Sequence, residues 1–356
     1  MNLRILDTEL NASAIVDSHE SFTWTDRYNL CGDFELYLPV DDFALANLKK
    51  DYYIERKDSE HVMIIEDFLI ETDEEDGNHL TITGRSLESI LDRRIIWGLK
   101  TLSGNLQNGV ETLLNECIIN PSNPDRKIDN FIFEASDDPA ITELTIDAQF
   151  TGDNLYDTIC AICQVYGIGF KITLNNLKQF VFTLYAGSDR SYEQTSNPYV
   201  IFSPQFDNLM NSNYVESNSS AKNVTLVGGE GEGVNRKYAT TGSGVGLNRR
   251  EMFTDARDIS SDDVPTGSTY ESLLIQRGNE RLVENARATA FEGEAETSVN
   301  YVYGVDFFNG DIVQIANEYG HEARVRIVEM ITSEDESGVH TYPTFETITE
   351  EGEQDT

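Results

Sequence analysis

Phe22-Thr23-Trp24-Thr25-Asp26-Arg27-Tyr28-Asn29-Leu30-Cys31-Gly32-Asp33-Phe34-Glu35-Leu36-Tyr37-Leu38-Pro39 is the stretch from which the fold is read. Phe22 and Trp24, then Phe34, Leu36 and Leu38, stand at alternate positions. Each run therefore offers one apolar face to a core, and the pair reads as two strands. Between them, Asn29, Gly32 and Asp33 are residue types that tolerate positive φ, which lets a chain reverse. Pro39 has no amide hydrogen for the ladder and ends the second strand. Trp24 and Phe34 are assigned to the core of a sheet that begins here.

The same alternation continues on both sides. Leu3-Arg4-Ile5-Leu6 and Ser13-Ala14-Ile15-Val16 read as strands before it, and residues 52–56, 61–70 and 80–84 as strands after it. Strands spaced by about 8 to 12 residues with polar turns between them predict a small barrel or sandwich. Residues 86–96 break the pattern. Leu87, Ile90, Leu91 and Arg94 or Ile95 recur at helical spacing with Ser86 placed as an N-cap, which predicts one short helix against that barrel. Arg85, Arg93 and Arg94 cluster here and are assigned to ion pairs with the surrounding carboxylates.

Beyond Trp97-Gly98 the composition shifts. Residues 106–119 and 153–166 have helical apolar spacing, the second with Asp153 as cap and Gly167 as stop. Residues 170–174 and 180–184 flank Asn175-Asn176-Leu177-Lys178 as a hairpin. This predicts a compact α+β unit over residues 99–188. From Tyr199 strands return at 200–202, 221–227, 236–239, 295–303, 310–316, 323–331 and 339–345, with a helix over 269–290 that Gly278 weakens. The residues from 344 onward carry Glu346, Glu350, Glu351, Glu353 and Asp355 with no base and read as a frayed acidic tail.

The chain has 356 residues, too many for one ordinary core, so two or three domains are expected. Its 63 Asp and Glu stand against 26 Lys and Arg, a formal net charge of -37. That balance argues against a protein that grips nucleic acid, since phosphate contacts need cations. It is compatible with a conduit whose acidic wall keeps DNA from sticking, although charge alone favours an acidic surface that only prevents aggregation. The first residues show no apolar signal-peptide core, and no apolar run approaches the roughly 20 residues of a membrane span. Cys31, Cys117, Cys160 and Cys163 are too sparse for a disulfide framework, which fits a reducing cytoplasm.

No motif carries an obvious chemistry. Gly228-Gly229-Glu230-Gly231-Glu232-Gly233 lacks the Lys-Ser or Lys-Thr of a phosphate loop, and its glutamates would repel phosphate, so it reads as a hairpin loop. The segment Thr241-Gly242-Ser243-Gly244-Val245-Gly246 reads the same way. Cys160-Ala161-Ile162-Cys163 has redox or zinc spacing but lies mid-helix among Ile159, Ile162 and Val165, which assigns both thiols to the core. The acidic run 73–78 lacks the ligand spacing of a calcium loop. His19, His61, His79, His321 and His340 fall in no metalloprotease motif, and no serine sits in a nucleophile elbow. With so many acids, accidental carboxylate pairs carry little weight. Tyr192, Tyr199 and Tyr214 are candidates for carbohydrate stacking and equally for ordinary sheet positions.

Trp24-Thr25-Asp26-Arg27-Tyr28, Gly32-Asp33-Phe34-Glu35-Leu36 and Pro39, followed by Ile82-Thr83-Gly84-Arg85-Ser86-Leu87-Glu88-Ser89-Ile90-Leu91-Asp92-Arg93-Arg94-Ile95, resemble the siphophage tail hub proteins. These are tail-tip or baseplate hub components, also called tail-associated proteins. Tyr303-Gly304-Val305-Asp306-Phe307-Phe308-Asn309-Gly310-Asp311-Ile312-Val313 is similar to the strand-turn-strand near the end of the hub region. The resemblance implies a homotrimer in which two related β-barrels per chain build a pseudo-sixfold ring. That ring would match the tail tube and distal tail protein and adjoin tape-measure and receptor-binding or fibre proteins, with DNA passing through unbound. Many relatives carry a further lysin or receptor-binding extension; this chain ends at Thr356, which argues against those roles.

The expected architecture is mainly β with an α+β insertion. It comprises a first β-barrel hub domain with a short helix (1–98), an inserted α+β domain (99–188), a second β-barrel hub domain with glycine-rich loops and a helix (189–346), and an acidic tail (347–356). The expected function is a structural, non-enzymatic virion component of the tail tip, made in the host cytoplasm and needing no cofactor or metal. A cell-wall hydrolase and a host-surface carbohydrate-binding module are the alternatives.

Overall fold

The computed structural model describes residues 2–73, 77–285, 288–295, 300–319 and 322–348. The first strands are β1 (Leu3–Leu6), β2 (Ala12–Val16), β3 (Ser21–Arg27) and β4 (Asp33–Pro39). A short helix that the sequence did not betray, α1 (Asp42–Asn47), is capped by the Asp41 carboxylate, which accepts the Ala44 N–H at 2.6 Å. It leads to β5 (Tyr53–Arg56), β6 (Val62–Asp73) and β7 (Gly77–Ser86).

The opening stretch is the predicted hairpin: Trp24 lies opposite Phe34 and Phe22 opposite Leu36 in the ladder, and all four are buried. Its turn works differently from the prediction. Asn29, Gly32 and Asp33 all keep negative φ. Gly32 is needed for close approach instead, because a Cβ there would overlap the Thr25 carbonyl.

The helix predicted over 86–96 is a 3-10 segment, Leu87–Arg93. Ser86 stands at its N-cap position, as predicted, but its side chain makes no capping bond. Its Oγ accepts the Gly32 N–H at 2.7 Å, and Glu88 is drawn inward to accept the Ile172 N–H at 2.7 Å. Of the three arginines, Arg85 makes a two-pronged pair with Glu66 at 2.8 and 2.9 Å and reaches Asp92 at 3.1 Å, and Arg93 is 4.0 Å from Asp51. Arg94 departs from expectation: its guanidinium donates to the Arg126 and Arg93 carbonyls.

The middle of the chain supplies β8 (Lys100–Asn105), α2 (Leu106–Leu114), β9 (Phe131–Glu134), α3 (Pro139–Thr142), β10 (Thr145–Phe150), α4 (Leu155–Tyr166), β11 (Gly169–Leu174) and β12 (Phe180–Tyr185). The second half of the predicted 106–119 helix is a π-helical turn, Asn115–Ile119. Asn154 rather than Asp153 caps α4, accepting from the Tyr156 and Asp157 amides, and Gly167 ends it at φ 63°. β11 and β12 form the predicted hairpin, and β9 joins β12 in parallel.

The last part contains β13 (Ile201–Phe202), β14 (Leu209–Ser217), β15 (Val224–Gly228), β16 (Tyr238–Gly242), β17 (Glu251–Asp255), α5 (Tyr270–Glu284), β18 (Ala288–Ala295), β19 (Ile312–Ala316), β20 (Glu322–Asp335) and β21 (Gly338–Thr347). α5 starts at a capping box between Thr269 and Ser272 and stops at Glu284. The residues near 290, predicted as its end, belong to β18, which pairs with β14 and β21; of the strand predicted at 295–303, residue 295 ends β18 and residues 296–299 lie outside the described residues. Ordered strand continues to Thr347, so the frayed tail does not start at 344, and residues 349–356 lie outside the described residues.

Thirteen strands share one sheet in the order β14-β18-β21-β20-β3-β4-β7-β6-β5-β1-β2, with β19 also pairing β20 and β13. The fold is thus mainly β, as expected, but among the described residues none of its sheets closes into a barrel. The two β-rich regions are joined edge to edge where β3 pairs antiparallel with β20, Trp24 facing Thr332 and Arg27 facing Glu329. That pairing covers β3 on both edges. Trp24, Thr25 and Asp26 are consequently all buried, and the simple alternation of the strand is broken there.

The apolar interior follows this plan. Phe22, Trp24, Phe34, Leu36 and Ile82 form one core beside the opening hairpin. A second runs from Ile64, Leu87 and Leu91 into Leu113, Ile159, Phe170 and Phe182, so β6 and the 3-10 segment share their interior with the middle of the chain. Phe202, Phe307, Ile327 and Phe345 make a third, and a fourth lies between α5 and the small sheet β16-β15-β17. No helix of the described residues is long and apolar enough to cross a membrane.

Candidate functional site

Two of the segments that carry the tail-hub resemblance, Trp24–Tyr28 and Asn309–Asp311, meet at the joint between β3 and β20. Tyr28, one residue past β3, is fully buried. Its N–H donates to the Val328 carbonyl at 2.9 Å, and its carbonyl accepts the Phe170 N–H at 3.2 Å. The phenol hydroxyl donates to the Gly167 carbonyl at 3.1 Å and accepts the Gly187 N–H at 3.2 Å. The ring meets Tyr185 edge-on at 5.2 Å and lies under the Arg326 guanidinium at 5.3 Å. One side chain therefore touches the first strands, the middle hairpin and the last sheet region. The fit leaves no room for β-carbons: one added at Gly169 or at Gly310 would overlap the Tyr28 ring, and one at Gly187 would overlap the Gly310 carbonyl.

Asn309-Gly310-Asp311 completes the joint. Asn309 Nδ2 donates to the Asp26 carbonyl at 3.0 Å. The buried Asp311 carboxylate accepts the Ser188 N–H at 2.7 Å, the Phe308 N–H at 3.0 Å and Arg190 Nε at 2.7 Å. Arg324 pairs with Asp189 at 2.9 Å. These charge-assisted bonds hold residues 188–190, which leave the middle region, against β19 and β20.

Beneath the hairpin lies a buried charge cluster. Trp24 Nε1 donates to Asp26 Oδ1 at 2.8 Å, and the Arg56 guanidinium sits 5.3 Å above the Trp24 ring. His61 Nδ1 is 3.5 Å from Glu88 Oε1. Burial favours neutral imidazole at His61, but the Asp26 and Glu88 carboxylates outweigh it and raise its pKa to about 9. Burial likewise works against the Glu88 carboxylate, yet its contact with His61 holds the pKa below the usual value. At Asp26 burial prevails over His61 and Arg56, and the pKa is raised. The middle of the cluster is thus a buried imidazolium–carboxylate pair that links β6 to the 3-10 segment and, through Ile172, to β11. Sequence analysis missed it because Asp26, His61 and Glu88 are 27 or more residues apart in sequence.

The other candidates are scattered. His19 is 3.1 Å from Glu334 across the sheet, His79 is 3.2 Å from Glu20 and stacked on Tyr37, and His340 is 3.1 Å from Ser337 Oγ. His321 lies outside the described residues. Cys160 and Cys163 are buried in α4, and burial pushes the Cys160 thiol up to about 12 and that of Cys163 well above its usual value. The 228–233 glycines lead from β15 into its hairpin with β16. Residues 243–250 join β16 to β17 on opposite sides of β15. Tyr192 and Tyr199 are half exposed and meet edge to face at 5.8 Å, while the side chain of Tyr214 and residues 74–76 of the acidic turn lie outside the described set. Among the described residues no group of three or more His, Cys, Asp or Glu is placed to hold a metal ion.

One perturbed carboxylate had no sequence signal. Glu280 on α5 is buried at the junction with α4, and burial raises its pKa to about 7 although Arg277 lies 3.5 Å away.

This fold is that of phage tail proteins. A prophage tail protein, gp18, from Listeria monocytogenes EGD-e shares it with a TM-score of 0.59 at 13% identity, over 99% of this chain and 96% of the other. A 43 kDa tail protein of prophage MuSo2 from Shewanella oneidensis gives 0.59 at 11% identity, over 97% and 98%. A tail protein from Neisseria meningitidis MC58 gives 0.56 at 11% identity, over 97% and 95%. Comparison with curated proteins yields no match. The chain belongs to the Siphovirus ReqiPepy6 Gp37-like protein family, whose model matches residues 2–345. The siphophage tail-associated family expected from the hairpin and the Gly84-Arg85-Ser86 segment is therefore the right one.

Proposed function

We propose that this phage tail protein is a structural hub of the tail tip or baseplate, acting as a homotrimeric ring between the tail tube with its distal tail protein and the parts below. The observation that supports it is the β3–β20 pairing. A ring of sixfold appearance made from three chains needs two β units per chain held at a fixed angle. Six consecutive ladder pairs from Phe22–Glu334 to Arg27–Glu329, with Tyr28 wedged at their end, provide a stiff coupling of that kind. In this reading the two β regions act as the barrel-like hub domains and the 99–188 unit projects from them. Tape-measure and receptor-binding or fibre proteins are neighbours.

The same reading gives the chain a gating role without catalysis: the ring opens to pass DNA, and a net charge of -37 keeps the passage non-adhesive. The test is the mass of the purified protein, alone and with the distal tail protein. A trimer that binds its neighbour supports the reading, and a stable monomer that binds no tail protein overturns it. Zymography on peptidoglycan addresses the enzymatic alternative, since lysis abolished by replacing a single Asp or Glu would replace the structural reading with a hydrolytic one.

A further inference from the structure

Among the described residues, the small sheet β16-β15-β17 has one face covered and the other exposed. Val227 and Ala239 turn toward α5 and are buried. Their neighbours Leu226, Tyr238 and Phe253 point the other way and are 43%, 51% and 51% exposed. Leu226 lies beside Phe253 in the ladder, and the Arg236 guanidinium sits 5.2 Å over the Phe253 ring and 5.8 Å over Tyr238, so these residues share one surface. At one end of the sheet the β15–β16 hairpin carries Val234, and at the other the β16–β17 connection carries Leu247; both are 100% exposed. Apolar side chains held fully in water at both ends of an uncovered apolar face mark an interaction surface.

Charge identifies the occupant. Residues 222–257 carry six Lys or Arg and four Asp or Glu, a basic excess in a chain whose overall ratio is 26 to 63. The same chain holds the complementary surface. Leu69 and Ile70 on the outer half of β6, and Phe43 and Leu45 on α1, are exposed apolar residues. Just before α1, the Val40 N–H donates to the carbonyl of Asn78 in β7, whose ladder partner is Thr72 at the outer end of β6. Neither residues 28–48 nor residues 58–84 contain a Lys or Arg, and Asp41, Asp42, Asp67 and Glu71 neighbour the apolar side chains in sequence, while Glu66 is taken up by Arg85.

We propose that the outer face of β16-β15-β17 docks on the acidic β6 and α1 end of a second copy of this chain. The contact is head-to-tail, joining two different surfaces, and such a contact repeated by rotation closes into a ring. The inference rests on the ring reading above and names the surfaces that make it. Opposite charge at the rims sets the register, and the apolar centres exclude water.

The experiment uses the full chain in native mass spectrometry and light scattering. The Arg249→Glu, Arg257→Glu double variant and the Asp67→Lys, Glu71→Lys double variant change exposed side chains. Each is expected to keep the native circular dichroism spectrum and to weaken assembly at least tenfold. The chain carrying all four changes regains it, because every contact then pairs opposite charges again. Val234→Ser with Leu247→Ser weakens assembly without lowering the unfolding midpoint. Full assembly of both charge variants would show that the ring forms through other surfaces, leaving the hub reading in place. A wild-type chain that stays monomeric at high concentration overturns the docking proposal, and one that also binds no tail protein overturns the hub reading with it.

Discussion

The Tyr28 ring lies so close to Gly310 that no β-carbon fits between them, although 281 residues of chain lie between these two positions. Gly310 is also at φ 91°, a conformation L side chains rarely adopt. Gly310→Ala therefore meets both overlap and backbone strain and is expected to cost about 3 kcal/mol or more. Tyr28→Phe keeps the ring and removes the hydroxyl bonds to Gly167 and Gly187, at about 1–3 kcal/mol. Denaturant unfolding of the two variants checks the order. A Gly310→Ala protein as stable as the wild type would show that the joint is loose.

Trp24 is fully buried, bonded to Asp26 and packed between Phe22 and Phe34. Trp24→Ala removes that packing, leaves the Asp26 carboxyl without its indole donor, and is expected to cost about 3–5 kcal/mol. The consequence at the level of the particle is loss of tail assembly through misfolding, read by thermal unfolding beside a tail-assembly assay. Normal unfolding together with normal assembly would place the core elsewhere.

His61 has a pKa of about 9 in the folded chain against an ordinary value of 6.5. The folded state thus holds a proton that the unfolded chain has released between those pH values, and stability falls as pH rises through that window. The contribution is complete below pH 6.5 and lost above about 9. His61→Gln is expected to flatten the profile between those limits and to lower stability at pH 7 by a few kcal/mol, because Glu88 loses its buried counter-charge. Unfolding midpoints from pH 6 to 10 measure it.

Glu280 gives a second window of the same sign at lower pH. Its folded pKa of about 7 lies above the ordinary 4.5, so the folded chain again binds the extra proton, and stability falls as pH rises from 4.5 to 7. Above pH 7 a charged carboxylate sits buried between α4 and α5. Glu280→Gln is expected to stabilise the protein at pH 8 by about 1–3 kcal/mol and to leave it near wild type at pH 4.5. Arg277 keeps Asp258 as a partner at 2.9 Å, so the variant does not strand it. An unchanged pH profile would show that the junction admits water.

Elements with a strong local signal were legible. The hairpin β3–β4, the hairpin β11–β12, α2 and α4 follow from apolar spacing, and Gly167 stops α4 where a left-handed residue is required. The segment 86–96 was misjudged because its helical spacing is real but Ser86 and Glu88 are bound by Gly32 and Ile172, partners 54 and 84 residues away. β14 and β17 went unread: β14 is largely polar, with Asn211, Ser212 and Asn213 in its middle, and β17 has only five residues. Gly310 could be seen in sequence as a turn residue, but its reason, the Tyr28 ring, could not.

By itself the sequence determined that this chain is mainly β, which side chains line the first core, and which family it belongs to, because alternation, turn residues and short motifs are local properties. Tertiary structure alone decided that its β regions share one open sheet through β3 and β20, and that Asp26, His61 and Glu88 bury their charges together. It also decided that one face of the small sheet is left uncovered. Strand pairing and charge burial depend on contacts between residues tens to hundreds of positions apart, and no local pattern encodes which partner a strand edge or a buried charge will find.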